Sequence, residues 1–211
     1  PGSSVNTVYH CLYSLRRLLS PNYAVIPVND QVILKEPWIN SCALLILPGG
    51  ADTGYCRSLN GDGNRIIDQF VRRGGAFLGL CAGGYYGSSR CEFEVGNKFL
   101  EVSGPRELCF FPGTCRGCVF KGFEYDSEAG ARATELAVSK QFNEFTIASR
   151  NFKCYYNGGG VFIDAAKFAH NGVEILANYS ENLDIDESGG SAAVVYCKVG
   201  EGRVILTGVH P

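Results

Sequence analysis

The chain is expected to fold as one α/β domain around a mostly parallel sheet, with helices covering both faces of that sheet. Three observations predict this. Residues 43–47 and 76–80 are apolar along their whole length, without the alternation of a half-exposed strand. Helical patterns at 5–19 and 65–73 interleave with those runs, the order of a βαβ arrangement. The 211 residues, 45% of them hydrophobic and 19% charged, suffice for one such core.

Taken in order, Val8, Cys11, Leu12, Leu15, Leu18 and Leu19 recur at three- and four-residue steps, with Arg16 and Arg17 on the other face, which predicts a helix over Val5–Leu19. Ser20-Pro21-Asn22 breaks it, and residues 23–28, rich in β-formers, read as a short strand. Residues 43–47 form a strand buried on both sides, ending in Pro48-Gly49-Gly50-Ala51-Asp52. A loop rich in Gly and Asn then leads to a helix over 65–73, which Gly74 and Gly75 terminate. The strand at 76–80 delivers the chain into Cys81-Ala82-Gly83-Gly84-Tyr85-Tyr86-Gly87. From 91 to 170 the patterning weakens into hairpins and loops, with short strands expected at 118–120, 135–138 and 160–163. Residues 174–179, 192–198 and 203–209 restore strong strand patterns, the last two joined by 199–202 as a hairpin.

A formal net charge of -2 supplies no pull toward nucleic acid or an anionic membrane, so neither is expected as a partner. No apolar run is long enough to cross a bilayer and the first residues lack a signal-peptide layout, so a soluble, cytoplasmic protein is expected. Ten cysteines in a chain of this size read as free thiols in a reducing compartment, with Cys11, Cys42 and Cys197 packed as small hydrophobes. The absence of Met, and a helix where a parallel sheet would open with a strand, suggest a single domain, 1–211, truncated at both ends.

Chemistry concentrates at Cys81. A nucleophile on a tight strand-to-helix turn needs small neighbours, and Gly79-Leu80-Cys81-Ala82-Gly83 supplies them. Ala82 and Gly83 open a helix whose free N–H groups and positive end would favour the thiolate. The competing reading is a buried structural cysteine among close-packed glycines. Gly49 and Gly50 end the preceding parallel strand, where their N–H groups could receive an oxyanion. His210 follows the last strand and would emerge at the same edge as a base, or else be a solvated end residue. His10 and His170 have no comparable setting. Cys109, Cys115 and Cys118 lack a fourth ligand nearby, so no metal is expected. The glycines in Tyr155-Tyr156-Asn157-Gly158-Gly159-Gly160 imply a backbone passing close to a ligand or to another loop.

In order, Pro48-Gly49-Gly50-Ala51-Asp52, Gly79-Leu80-Cys81-Ala82-Gly83-Gly84-Tyr85-Tyr86-Gly87 and Thr207-Gly208-Val209-His210-Pro211 resemble the class I glutamine amidotransferase-like superfamily. More narrowly they resemble the amino-terminal domain of fungal-type biotin-protein ligases, as do Arg90-Cys91-Glu92-Phe93-Glu94-Val95-Gly96, Pro112-Gly113-Thr114-Cys115-Arg116-Gly117, Ser127-Glu128-Ala129-Gly130-Ala131-Arg132 and Tyr156-Asn157-Gly158-Gly159-Gly160. The resemblance spans nearly the whole chain. It implies a flavodoxin-like three-layer sandwich, with Cys81 as nucleophile, Gly49 and Gly50 at the oxyanion loop, and His210 as the triad histidine. The superfamily's His-x-Glu pattern would put its glutamate just past Pro211. Glutaminase members carry a Gln shortly after the nucleophile, where this chain has Gly84, Tyr85 and Tyr86, so the resemblance does not extend to glutamine hydrolysis.

The same resemblance places biotin adenylation and transfer in a separate ligase domain, with biotin and ATP as cofactors there and none in this domain. The expected role is a regulatory or docking domain that contacts the parent's ligase catalytic domain and keeps its pocket for a small molecule or peptide. The alternative is a cysteine hydrolase or amidotransferase acting through Cys81 and His210. A redox or scaffold protein without chemistry is a third reading.

Overall fold

The computed structural model describes residues 2–139 and 150–210. The elements run α1 (Val5–Leu19), α2 (Asp30–Lys35), β1 (Leu44–Leu47), α3 (Asp52–Leu59), α4 (Asp62–Arg72), β2 (Ala76–Leu80), α5 (Ala82–Gly87), β3 (Ser88–Phe93), β4 (Val102–Pro105) and β5 (Phe111–Gly117). They continue with β6 (Arg132–Val138), β7 (Asn151–Tyr156), β8 (Gly160–Phe162), β9 (Val173–Tyr179), β10 (Ala192–Val199) and β11 (Gly202–Thr207). The class is α/β, as expected, but the strands form two sheets. One has seven strands in the order β1-β2-β11-β10-β9-β6-β7, and the other has four in the order β4-β3-β5-β8.

The large sheet is mixed rather than mostly parallel. Only β1 with β2 and β2 with β11 pair in parallel; from β11 outward every pairing is antiparallel. The cause is local. The expected hairpin between β10 and β11 turns in the two residues Gly200 and Glu201, a connection short enough to join only antiparallel neighbours.

Helix α1 forms where its spacing places it, with Ser4 capping it by accepting from the Thr7 N–H. Residues 23–28 do not form a strand: they run irregularly, with Tyr23, Ile26 and Val28 exposed. β-propensity needs a neighbouring strand to be realised, and this segment has none. Strand β1 buries Leu45 and Leu47 while Leu44 and Ile46 stay half-buried, so only one of its faces is fully covered. The Gly- and Asn-containing stretch after Gly50 is largely helical, as α3, and Asn29 caps the short helix α2 that the spacing did not reveal. Residues 118–120 are not a strand either. Val119 and Phe120 are buried in succession in one apolar cluster, which an extended strand pointing alternate residues to opposite faces does not provide.

The core has two apolar clusters. Ile67, Phe70 and Val71 of α4 join Phe77, Val204 and Leu206 in one; Leu136, Tyr156, Val161, Tyr179 and Val209 lie in the other. Helix α5 packs on β2 and β11 of the large sheet and on β3 and β5 of the small one, so the turn that carries Cys81 lies between both sheets. Among the described residues no helix is long and apolar enough to cross a membrane.

Candidate functional site

Strand β2 ends at Leu80 and α5 begins at Ala82, leaving Cys81 alone to turn the chain. It does so at φ 50° and ψ -102°, a conformation costly for a residue with a side chain. Backbone bonds hold it there. Its N–H donates to the Thr207 carbonyl at 2.8 Å, and its carbonyl accepts from Gly84 and Tyr85 at 2.8 and 3.1 Å. The turn closes tightly because Gly79 and Gly83 lack side chains: a Cβ on Gly83 would collide with the Leu47 carbonyl, and one on Gly79 with the Gly83 carbonyl.

His210 arrives from β11. Its N–H donates to the Tyr155 carbonyl at 2.9 Å and its ring lies edge-on to Tyr155, with centroids 5.6 Å apart. On the other side the imidazole rests against Gly49, where any Cβ would collide with Cε1. The Gly49 carbonyl in turn accepts from the Thr7 hydroxyl at 2.7 Å and the Ser4 N–H at 3.1 Å. Because the peptide is planar and trans, the Gly50 N–H points away from those two groups of α1 and its cap.

Cys81, His210, Gly49, Gly50 and Ala82 therefore line one chamber of about 870 Å3. Gly83 does not line it; its role is the close approach of α5 to β1. Electrostatics in the chamber differ from the expected thiolate. Burial pushes the Cys81 thiol up to about 12, outweighing the Ala82 N–H that favours the anion, and the Asp52 charge pushes the same way. Burial also lowers His210 to about 4, opposed by its hydrogen bond to the Asn157 backbone. Both groups are uncharged at neutral pH. The thiol itself donates to the Asn157 carbonyl at 3.5 Å.

Several chamber residues were not singled out by sequence reasoning. Asp52 opens α3 and pairs with Arg106 at 2.7 Å, both buried; the partners lie 54 positions apart, beyond any local pattern. His10, for which the sequence offered no setting comparable to that of His210, lines the chamber too, with Thr7 and Asn6 of α1. A loop, residues 123–128, forms the remaining wall. It is held by Tyr155, whose hydroxyl donates to Glu128 at 2.6 Å, and by Asn157, whose Nδ2 donates to the Ser127 carbonyl at 3.3 Å. The signal available in the sequence was glycine: Gly122 and Gly130 meet at the base of this loop. The glycines after Asn157 pass close to other backbone, Gly159 against Gly208 and Gly160 against the Arg116 carbonyl. Tyr85, in the stretch where glutaminases keep a Gln, lines the chamber but donates its hydroxyl to the Gly158 carbonyl at 3.2 Å.

The family model described as biotin-protein ligase, N terminal, matches residues 1–211. The chain is 44% identical over 210 residues to the biotin-protein ligase of Schizosaccharomyces pombe, an alignment covering 100% of this chain and 32% of that protein, so the chain spans about a third of its length. Among solved structures, the glutaminase domain of Trypanosoma brucei CTPS with bound acivicin superposes with TM-score 0.56 at 15% identity, covering 100% of this chain and 83% of that one. The structure of PurLQS from Thermotoga maritima gives 0.51 at 18% identity, covering 100% of this chain and 84% of that one. These two likenesses are of fold.

Proposed function

Because the chain belongs to the family of biotin-protein ligase N-terminal domains, we propose that it is the regulatory or docking domain of such a ligase. In this reading the amidotransferase-like chamber serves as a small-molecule or peptide site. A flavodoxin-like three-layer arrangement and an oxyanion role for Gly49 and Gly50 belong to the same proposal. The parent protein attaches biotin to carboxylase lysines with ATP, and those ligands bind in its separate catalytic domain.

The observation that carries the reading is the uncharged floor of the chamber. Cys81 is held as a thiol by burial, which outweighs the Ala82 N–H that favours the anion, and it donates to a backbone carbonyl. The test is isothermal titration of this chain into the parent's ligase catalytic domain, with biotinylation rate as a second readout. Saturable heat at micromolar concentrations and a changed rate are expected. No heat at high micromolar concentrations, together with an unchanged rate, rejects the docking role.

A second reading, a cysteine hydrolase, is favoured by one observation: the strained backbone of Cys81, on a chamber that His210 also lines, is the geometry of a nucleophile elbow. Iodoacetamide at mildly acid pH separates the two. A docking domain leaves Cys81 no faster than the other cysteines, whereas a hydrolase alkylates it first.

A further inference from the structure

Charge in the Cys81 chamber is one-sided. Its acidic lining residues are Asp52, Glu124, Asp126 and Glu128, and among the described residues no Lys or Arg lines it, His10 and His210 being its basic side chains. Asp52 is neutralised by Arg106, and Glu128 is occupied by the Tyr155 hydroxyl. Glu124 and Asp126 are exposed on the loop wall and, among the described residues, form no ion pair. Three rings stand with them: Phe93 and Phe123 lie 5.4 Å apart at 85°, and Phe123 and Tyr125 lie 4.9 Å apart at 82°, with Tyr125 42% exposed.

A carboxylate or phosphate entering here would shed water and meet, among the described residues, no Lys or Arg to replace it. An ammonium group would find two exposed carboxylates and a wall lined by aromatic rings, both attractive to positive charge. Its apolar stem would lie on the same rings. We infer that the chamber selects an organic cation, an alkylammonium group on an apolar stem, and rejects carboxylates and phosphates. The inference rests on the chamber being a ligand site, as proposed above. It also separates this site from biotin and ATP, which are both anions.

The source is either a free amine or a lysine side chain in a peptide, and the test distinguishes them. The whole chain is titrated with n-butylamine, with Nα-acetyl-lysine methylamide, with its uncharged norleucine counterpart, and with biotin. One or both amines are expected to bind, more weakly as salt rises, while the norleucine compound and biotin bind at least about tenfold more weakly. Preference for the lysine compound over butylamine identifies a peptide. Glu124→Gln with Asp126→Asn, at exposed positions that leave the core intact, should weaken the amine by about tenfold. Equal binding of the norleucine compound, tighter binding of biotin, no binding of either amine, or indifference to the double substitution overturns the inference. Titration against the ligase domain runs in parallel, so loss of cation binding with docking retained sinks this inference alone.

Discussion

His210 and Cys81 are driven to their uncharged forms by one cause, the loss of water around them. For His210 this makes stability depend on pH. The unfolded chain takes up the proton near 6.5 and the folded chain only near 4, so between those values the unfolded state binds more protons and acid favours unfolding. The contribution is fully present above 6.5 and lost as pH falls toward 4, about 3 kcal/mol in all. Urea titrations across that range should show the native chain losing stability faster than a His210→Gln variant; parallel curves would mean the imidazole is hydrated in solution. The residues legible in the sequence were those whose chemistry needs contiguous neighbours. Cys81 could be found because a tight turn demands adjacent small residues, whereas Asp52 and Arg106 could not, since only folding brings them together.

At the scale of elements, the wall formed by residues 123–128 hangs on few bonds. Tyr155→Phe removes the hydroxyl that holds Glu128, a bond between exposed partners worth about 1 kcal/mol. Amide hydrogen exchange in the loop should then rise by roughly fivefold while β6 and β7 keep their protection. An unchanged loop would show that the Gly122–Gly130 base holds it without help. Among the regular elements, α1 and the strands β1, β2, β9, β10 and β11 were readable because each carries its own periodicity or unbroken apolar run. Helices α2 and α3 were not, as both are too short for a helical period to show; Asn29 caps α2, and α3 is held by the burial of Tyr55 and Leu59. The segment 23–28 failed in the opposite sense, having the composition of a strand without a partner.

In the whole molecule, α5 and strands β8 and β10 join the two sheets, so both apolar clusters should unfold together. Trp38, the sole tryptophan, packs on Phe70 in the first cluster, with ring centroids 5.0 Å apart. Its fluorescence and the far-UV circular dichroism should therefore follow a single urea transition; separated midpoints would mean the sheets fold independently. The sequence by itself determined the α/β class, the bend at Cys81 and the family likeness, because each rests on residues adjacent along the chain or recurring at the period of a helix or strand. Only the tertiary structure decided that the sheet is mixed, that His210 rests on Gly49, that Arg106 neutralises Asp52, and that an acidic, aromatic loop walls the chamber. Those are encounters between distant segments, set by which surfaces exclude water together, and no local pattern encodes them.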